Sequence, residues 1–293
     1  MKLEILEENE GAMKFIVSGT SVAMINSLRR AMMTYVPKLA IEDVDFHLGQ
    51  IVDENGKEYE SVTPLFNEVI AHRLGLIPLP TDLSTMNPRA ECKCNGEGCS
   101  LCTVMYKIDK RGPCMVYSGD LIPLGDMKFA PKLDLIPIVK LGEGQAILIY
   151  ATAELGTGDV HSKWCPVCGA GYKYYPIITV DHKKIKDPKR CVDVCPRHVF
   201  DLEKEGLKVS RPQDCNFCRL CEETSGKDAI TVKADDTKFL FQFESDGSLS
   251  TGDIFLYALR KLQEKFEELH NVLISSLEEG EEKGSNSKTE KKK

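Results

Sequence analysis

The sequence predicts an α+β chain, with strands and helices in separate runs and cysteine-rich pieces set among them. Three observations carry that expectation. Period-two apolar alternation marks strands at the start of the chain and again through its middle. Two long amphipathic stretches, one near the beginning and one near the end, have helical spacing. Most of the 12 cysteines in the 293 residues stand in dense groups, which is how metal ligands are distributed and core thiols are not.

Leu3, Ile5, Met13, Phe15 and Val17 alternate with polar residues around Asn9-Glu10-Gly11, so residues 2–19 are expected to form a β-hairpin. Ser21 then caps a helix reaching about Tyr35, with Val22, Ile25, Leu28 and Met32 on one face and Pro37 as its stop. The pair Arg29-Arg30 either faces solvent or meets an acidic or helical partner. A strand is expected over Ile41–Val52. Pro64 starts a helix with its body at Leu65–Leu76, ended by Gly75, Pro78 and Pro80.

Residues 103–154 read as β-rich, with strands at Val104–Ile108, Met115–Ser118, Ile136–Lys140 and Gln145–Ala153 broken by Gly and Pro. Cys114 has no cysteine nearby and reads as a small buried residue. Tyr172–Val180 is a strand by its aromatic and β-branched content. Farther on, Thr231–Lys233 and Lys238–Glu244 read as a pair of strands. Ser248–Gly252 caps the longest helix, where Phe255, Leu259, Leu262, Phe266, Leu269 and Leu273 recur at spacings of four and three. Such a seam, flanked by Glu264, Lys265, Glu267 and Glu268, favours a partner helix over packing on the chain's own sheet. Residues 279–293 are charged and poor in apolar side chains, the composition of a disordered tail.

The cysteines divide by spacing. Cys215-Asn-Phe-Cys218-Arg-Leu-Cys221 places three thiolates on a turning loop, and Cys195-Pro196 supplies a fourth from a separate segment. That is the bacterial ferredoxin arrangement for a [4Fe–4S] cluster. A zinc knuckle or reduced thiols are the competing reading, but zinc sites come as two CxxC pairs rather than a CxxCxxC run. A full two-cluster pattern would also require cysteine at Ile185, Pro188 and Ser225. One ligand set is therefore complete, and Cys191 is left over. Cys165 and Cys168 can join it in a second centre of [3Fe–4S] or [4Fe–4S] type, or all three are plain thiols. Separately, Cys92, Cys94, Cys99 and Cys102 form a CxC and a CxxC around a glycine-rich turn, a set that can hold zinc tetrahedrally with no position left for a substrate. Unmetallated or oxidised thiols are the alternative there.

A net charge of −7 argues against a chain that grips nucleic acid through its own field. The first residues carry charge and no apolar core of a secretory signal, and no run is long enough to span a bilayer. A cytoplasmic, reduced setting follows, in which cysteines serve metals rather than disulfides. We find no catalytic constellation: no cluster of aspartates for catalytic Mg²⁺, no phosphate loop and no dinucleotide fingerprint.

Two motifs add a family. Asn26–Pro37 (NSLRRAMMTYVP) resembles the helix that pairs the two α subunits of bacterial RNA polymerase, and Phe66–Leu79 (FNEVIAHRLGLIPL) resembles a stretch of the third-largest subunit of eukaryotic RNA polymerase II. Pro137–Gln145 and His161-Ser-Lys-Trp164 are similar to the same proteins. With the ferredoxin-type insertion, the chain most resembles the archaeal D-type branch of this family. The resemblance implies a discontinuous α-subunit-like dimerisation domain (1–38, 171–180 and 229–278) interrupted by an inserted β-rich domain (39–170, with the zinc loop at 92–102) and an inserted ferredoxin-like iron–sulfur domain (181–228). It implies a non-catalytic assembly subunit of DNA-dependent RNA polymerase that pairs with subunit L through Ile25, Leu28, Arg29, Met32 and the Phe255–Leu273 seam. Small subunits N and P and the large catalytic subunits are the further partners it implies, with DNA met only through the complex and no membrane. A ferredoxin-like electron carrier, or an iron–sulfur subunit of an oxidoreductase, is the alternative. It explains Cys195–Cys221 but leaves the two motifs and the seam without a purpose.

Overall fold

A computed structural model of the chain describes residues 1–52, 55–204 and 206–289. In chain order its elements are β1 (Lys2–Glu8), β2 (Ala12–Ser18), α1 (Val22–Thr34), β3 (Lys38–Phe46), β4 (Gln50–Val52), β5 (Glu58–Glu60), α2 (Asn67–Gly75), β6 (Thr103–Arg111), β7 (Cys114–Tyr117), β8 (Ile122–Pro123), β9 (Pro137–Leu141) and β10 (Ala146–Gly156). There follow β11 (Val167–Val180), α3 (Pro188–Val194), β12 (Phe200–Glu203), β13 (Gly206–Val209), α4 (Leu220–Ser225), β14 (Ile230–Ser245) and α5 (Thr251–Thr289). The α+β class expected is the class observed.

By contact the chain forms two compact units. One comprises Met1–Glu8, Ala12–Asn26 and Gly169–Phe243; the other comprises Asn9–Gly11, Ser27–Cys168 and Glu244–Lys293. The first is built on a four-stranded sheet in the order β1-β2-β14-β11. Residues 181–228 cluster with this sheet because β11 runs into them and β14 runs out. The hairpin expected at residues 2–19 is present, with Leu3 opposite Val17 and Ile5 opposite Phe15. An aromatic layer fills one side of the sheet. Phe15 stacks on Phe241 at 5.1 Å, Tyr172 lies 6.4 Å from Phe241, and Tyr174 lies 5.2 Å from Phe239. Such contacts add directional preference to large apolar areas removed from water.

One expectation fails here. Thr231–Lys233 and Lys238–Glu244 are not two paired strands but parts of the 16-residue strand β14. The Asp235 carboxylate accepts bonds from the Thr237 backbone N–H (2.9 Å) and hydroxyl (2.8 Å), local chemistry that reads as a turn. The carbonyl of Thr237 nevertheless accepts from the N–H groups of Gly19 and Thr20. Pairing to the end of β2 thus carries the strand through the site where a turn was expected.

The second unit centres on the sheet β3-β10-β6-β8. Its core comprises Leu39 and Ile41 of β3, Ile70 and Leu74 of α2, Tyr106 and Ile108 of β6, and Ile147 and Ile149 of β10, with the flanking segments. Here β10 alternates toward this core over its whole length. Helix α2 begins at Asn67 rather than at Pro64, because Phe66 remains extended (ψ 146°). The strand expected over Ile41–Val52 is two strands, β3 and β4, separated by Gly49 at φ 122°. Cys114 is half-buried against the core, its thiol donating to the Arg111 carbonyl. Trp164 donates to the Glu154 carbonyl at 3.2 Å and packs flat on Gly156, where a Cβ would stand 2.3 Å from the indole. His161 accepts from the Lys163 N–H at 3.1 Å, so it caps a short turn in the scaffold.

Both main helices start where the sequence marks them. The Ser21 hydroxyl accepts from the Met24 N–H. At the start of α5 the Ser250 hydroxyl accepts from the Asp253 N–H at 3.1 Å and donates to the Asp253 carboxylate at 2.6 Å. The tail expected at 279–293 lies outside the residues whose side chains are described, and 290–293 lie outside the described residues altogether.

Phe241→Ala is expected to destabilise the protein by about 3–5 kcal/mol, because it removes a fully buried ring from the centre of the aromatic layer. The midpoint of denaturant-induced loss of secondary structure checks this, and a shift no larger than that of a surface substitution would refute the role given to the layer.

Candidate metal centres and partner face

Two thiol groups are built by different means. In the first, Cys92 follows a single turn of 3-10 helix at Arg89–Glu91, and Cys102 immediately precedes β6. Between them Asn95, Gly96 and Gly98 take left-handed backbone, with φ of 54°, 84° and 95°. Glycine adopts these conformations without a Cβ penalty, and the chain reverses twice in a few residues. Arg89 fastens the loop, its Nε donating to the Gly96 carbonyl at 2.9 Å and its Nη1 pairing with Glu154 of β10 at 3.0 Å.

The four sulfurs turned inward by this loop all lie within 4.8 Å of one another. Cys92 to Cys99 and Cys94 to Cys102 are both 3.6 Å, and Cys99 to Cys102 is 3.9 Å. A tetrahedron of thiolates around one ion at 2.3 Å has edges of about 3.8 Å. The set has the dimensions for a single ion of that kind. The backbone N–H of Gly98 draws the Cys94 thiol down to about 6, and burial pushes Cys102 up to about 12. Four such thiols cannot all ionise side by side unless a cation compensates them, and a coordinating divalent ion deprotonates its thiols outright.

In the second group, Cys215, Cys218 and Cys221 lie on a loop leading into α4. Phe217 and Arg219, one in each interval between the cysteines, take left-handed backbone at φ 60° and 61°. For residues with a Cβ this costs roughly 1–2 kcal/mol each. The two reversals turn the loop so that the three sulfurs reach one place, which a regular helix or strand would not allow. Cys195, at the end of α3, joins them: all four cysteines, with Ile178, Val199 and Phe200, line one small pocket. Burial first, and then the neighbouring Cys215, push the Cys221 thiol up to about 12, with smaller contributions from Cys195 and Cys218. Cys215 is raised by burial and by the charges of Cys218 and Cys195.

The four sulfurs share a cavity without the close approach of the first group. Among the described residues, only Cys92, Cys94, Cys99 and Cys102 form a set within 4.8 Å. This wider spacing suits a group that offers each thiolate its own iron better than it suits one ion.

Cys191 is fully buried on α3, its thiol raised by burial and then by Asp187. Cys165 and Cys168 belong to the other compact unit. The Cys165 thiol donates to the Val167 carbonyl, while Cys168 is exposed. The positions that a second ligand set would need have other work. Ile185 packs against the apolar core of this module, Pro188 occupies the first turn of α3, and the buried Ser225 hydroxyl donates to the Glu222 carbonyl.

The partner face also resolves by residue. Leu259, Phe266, Leu269 and Leu273 are exposed along α5, and Phe255 and Leu262 are half-buried near its start. Leu277, 70 % exposed and four residues beyond Leu273, continues the same stripe and is a member that the sequence reading did not include. In α1, Ile25, Leu28 and Met32 are buried within the chain. The apolar side chains that this helix leaves at the surface are Val22, Met24 and Met33. Arg29 is half-buried and donates to the Met33 sulfur. No helix of the structure is long and apolar enough to cross a membrane.

A family model described as the RNA polymerase Rpb3/Rpb11 dimerisation domain matches residues 14–266. The DNA-directed RNA polymerase subunit Rpo3 of Picrophilus torridus is 44 % identical over 278 residues, which is 94 % of this chain and 100 % of that protein. The protein of the same name in Thermoplasma volcanium is 42 % identical over 279 residues, 95 % of this chain and 100 % of its own. The one in Methanosphaera stadtmanae is 38 % identical over 280 residues, 93 % and 98 % of the two chains.

Gly98→Ala is expected to weaken the first thiol site. The added Cβ meets only ordinary contacts with Thr103 and Arg89, so the penalty comes from φ 95° and amounts to about 1–2 kcal/mol. Metal retained against a graded series of chelator concentrations measures it, and retention equal to the parent would refute the role of this turn.

Proposed function

The chain belongs to the RNA polymerase Rpb3/Rpb11 dimerisation family, and from that premise we propose that it is a non-catalytic assembly subunit of an archaeal DNA-directed RNA polymerase. It pairs with a smaller α-like partner, subunit L, to form the platform on which small subunits N and P and the large catalytic subunits gather. The observation that carries this reading is the exposed seam of α5. Leu259, Phe266, Leu269, Leu273 and Leu277 recur at spacings of seven, three and four and are 40–70 % exposed. A helix of that design left bare in water loses most of what its apolar stripe can contribute. A partner helix restores it by knobs-into-holes packing.

Within this reading the first thiol group holds zinc, as the tetrahedral sulfur spacing supports. Four protein ligands leave no open coordination position, so the ion cross-links the loop between Arg89 and β6 and does no chemistry. Cys195, Cys215, Cys218 and Cys221 hold a [4Fe–4S] cluster, supported by their shared cavity and by a spacing wider than one ion needs. When bound, the cluster supplies a cross-link between α3 and the loop before α4, in a module whose own apolar core is small. The cluster is also oxidisable, so the same cross-link gives the module a dependence on redox state. Cys191 serves as a core thiol on α3.

The electron-carrier alternative explains one of these features only. It accounts for the second thiol group, whereas the seam and the zinc loop would have no part in it.

Two substitutions test the reading. Phe266→Asp together with Leu269→Asp is expected to abolish co-purification with the small partner subunit while leaving the far-ultraviolet circular dichroism of the chain intact, since both residues are exposed. Cys215→Ser with Cys218→Ser is expected to remove iron and sulfide from anaerobically purified protein and to leave that pairing in place. Pairing that survives the first change, or iron that survives the second, would overturn the corresponding assignment.

A further inference from the structure

Strand β11 has a consequence for the second thiol group. Tyr172 and Tyr174 pack into the aromatic layer with Phe239 and Phe241. Alternation along a strand then sends Lys173 to the opposite face. Its ammonium donates to the backbone carbonyl of Cys215 at 2.8 Å. The preceding carbonyl, that of Asp214, accepts from Arg197 Nε at 3.2 Å. Two successive carbonyls at the head of the CxxCxxC loop are therefore held by two cations. Lys173 is half-buried and Arg197 is exposed.

We propose that Lys173 is a positioning residue for the iron–sulfur cluster, pinning the ligand Cys215 to the sheet and raising the cluster's reduction potential by the charge it holds beside that ligand. The proposal rests on the assignment of a [4Fe–4S] cluster to Cys195, Cys215, Cys218 and Cys221.

A cluster that takes up one electron gains one unit of negative charge, with no bond made or broken among the protein's groups. A fixed cation close by favours that reduced state. The preference is larger in the partly buried setting of Lys173 than it would be in water. Net charge and hydrogen bonding around the ligands are the levers by which proteins set such potentials. Lysine suits the role as a compact point charge with three donors.

The aromatic layer makes the placement rigid. With Tyr172 and Tyr174 held on one face, the backbone of Lys173 cannot follow a moving loop, so the bond to Cys215 ties the loop to the sheet. A shift in the loop and a shift in the sheet are coupled through one hydrogen bond.

Redox titration of the full-length protein, purified anaerobically and followed by the electron paramagnetic resonance of the dithionite-reduced cluster, tests this. Lys173→Gln keeps a donor and removes the charge. It is expected to retain iron and sulfide and to lower the ratio of reduced to oxidised cluster about tenfold at a fixed potential, which is about 59 mV for a one-electron couple. Lys173→Arg is expected to titrate within about twofold of the parent. A Lys173→Gln protein that titrates with the parent overturns the proposal, as does an arginine variant shifted as far as the glutamine one. If Lys173→Gln loses its iron, Lys173→Arg decides: iron retained at the parent potential supports the proposal, and iron lost there too overturns it. Parent protein without iron or sulfide would instead sink the cluster assignment on which the role of Lys173 depends.

Discussion

A buried ion pair between Lys38 and Asp246 joins segments that are far apart in sequence, and much of the second unit is arranged around it. Lys38 opens β3, and Asp246 follows β14 just before the cap of α5. The Asp246 carboxylate also accepts from the N–H and hydroxyl of Ser248, and its own N–H donates to the Pro166 carbonyl. The carbonyl of Ser248 accepts from the Thr81 N–H, and the Thr81 hydroxyl accepts from Leu39. The entries to β3, β11 and α5 and the segment after α2 are thus tied into one polar network. Buried charges are costly unless every partner is present, so a network like this specifies one arrangement more than it adds stability. The long excursions of the chain leave and return at these points.

Periodicity made several parts legible in the sequence. The hairpin, the span of α1 and the capped start of α5 follow from side chains whose spacing reflects the element they occupy. The two thiol groups were equally plain, since their spacing is itself the geometry of ligation. The parts that escaped depend on tertiary partners. Asp235 and Thr237 carry the local chemistry of a turn, and only the end of β2 turns them into ladder. Ile25, Leu28 and Met32 share a face, as their spacing says, but the spacing does not say whether that face covers the chain itself or a second molecule; in the structure it is buried within the chain. Lys173 had no signal at all, because it is a solitary lysine in a strand whose meaning comes from a carbonyl 42 positions away.

The two thiol groups are shaped by different backbone conformations. In the Cys92–Cys102 loop, glycines and Asn95 provide tight reversals, and the sulfurs close to tetrahedral edges. Between Cys215 and Cys221 there is no glycine. Phe217 and Arg219 carry the left-handed backbone instead. A loop with strained residues at alternate intervals persists only when its surroundings over-determine it. Here those surroundings are the bond from Lys173, the bond from Arg197 and the start of α4.

The positions that a second ferredoxin-type ligand set would need are taken by other residues. Over the first of the two runs the chain forms helix α3. Pro188 starts α3 at a position where the pattern would place a ligand, and Asp187 caps it by accepting from the Arg190 N–H at 3.1 Å. A helix begun in that way directs Cys191 into the apolar core rather than toward a shared centre. Ile185 fills space beside it, and Ser225 turns its hydroxyl back on α4. Ile185, Pro188 and Ser225 each hold part of the local structure at those positions. The loop that carries Cys215, Cys218 and Cys221 is fastened to the four-stranded sheet β1-β2-β14-β11 through Lys173.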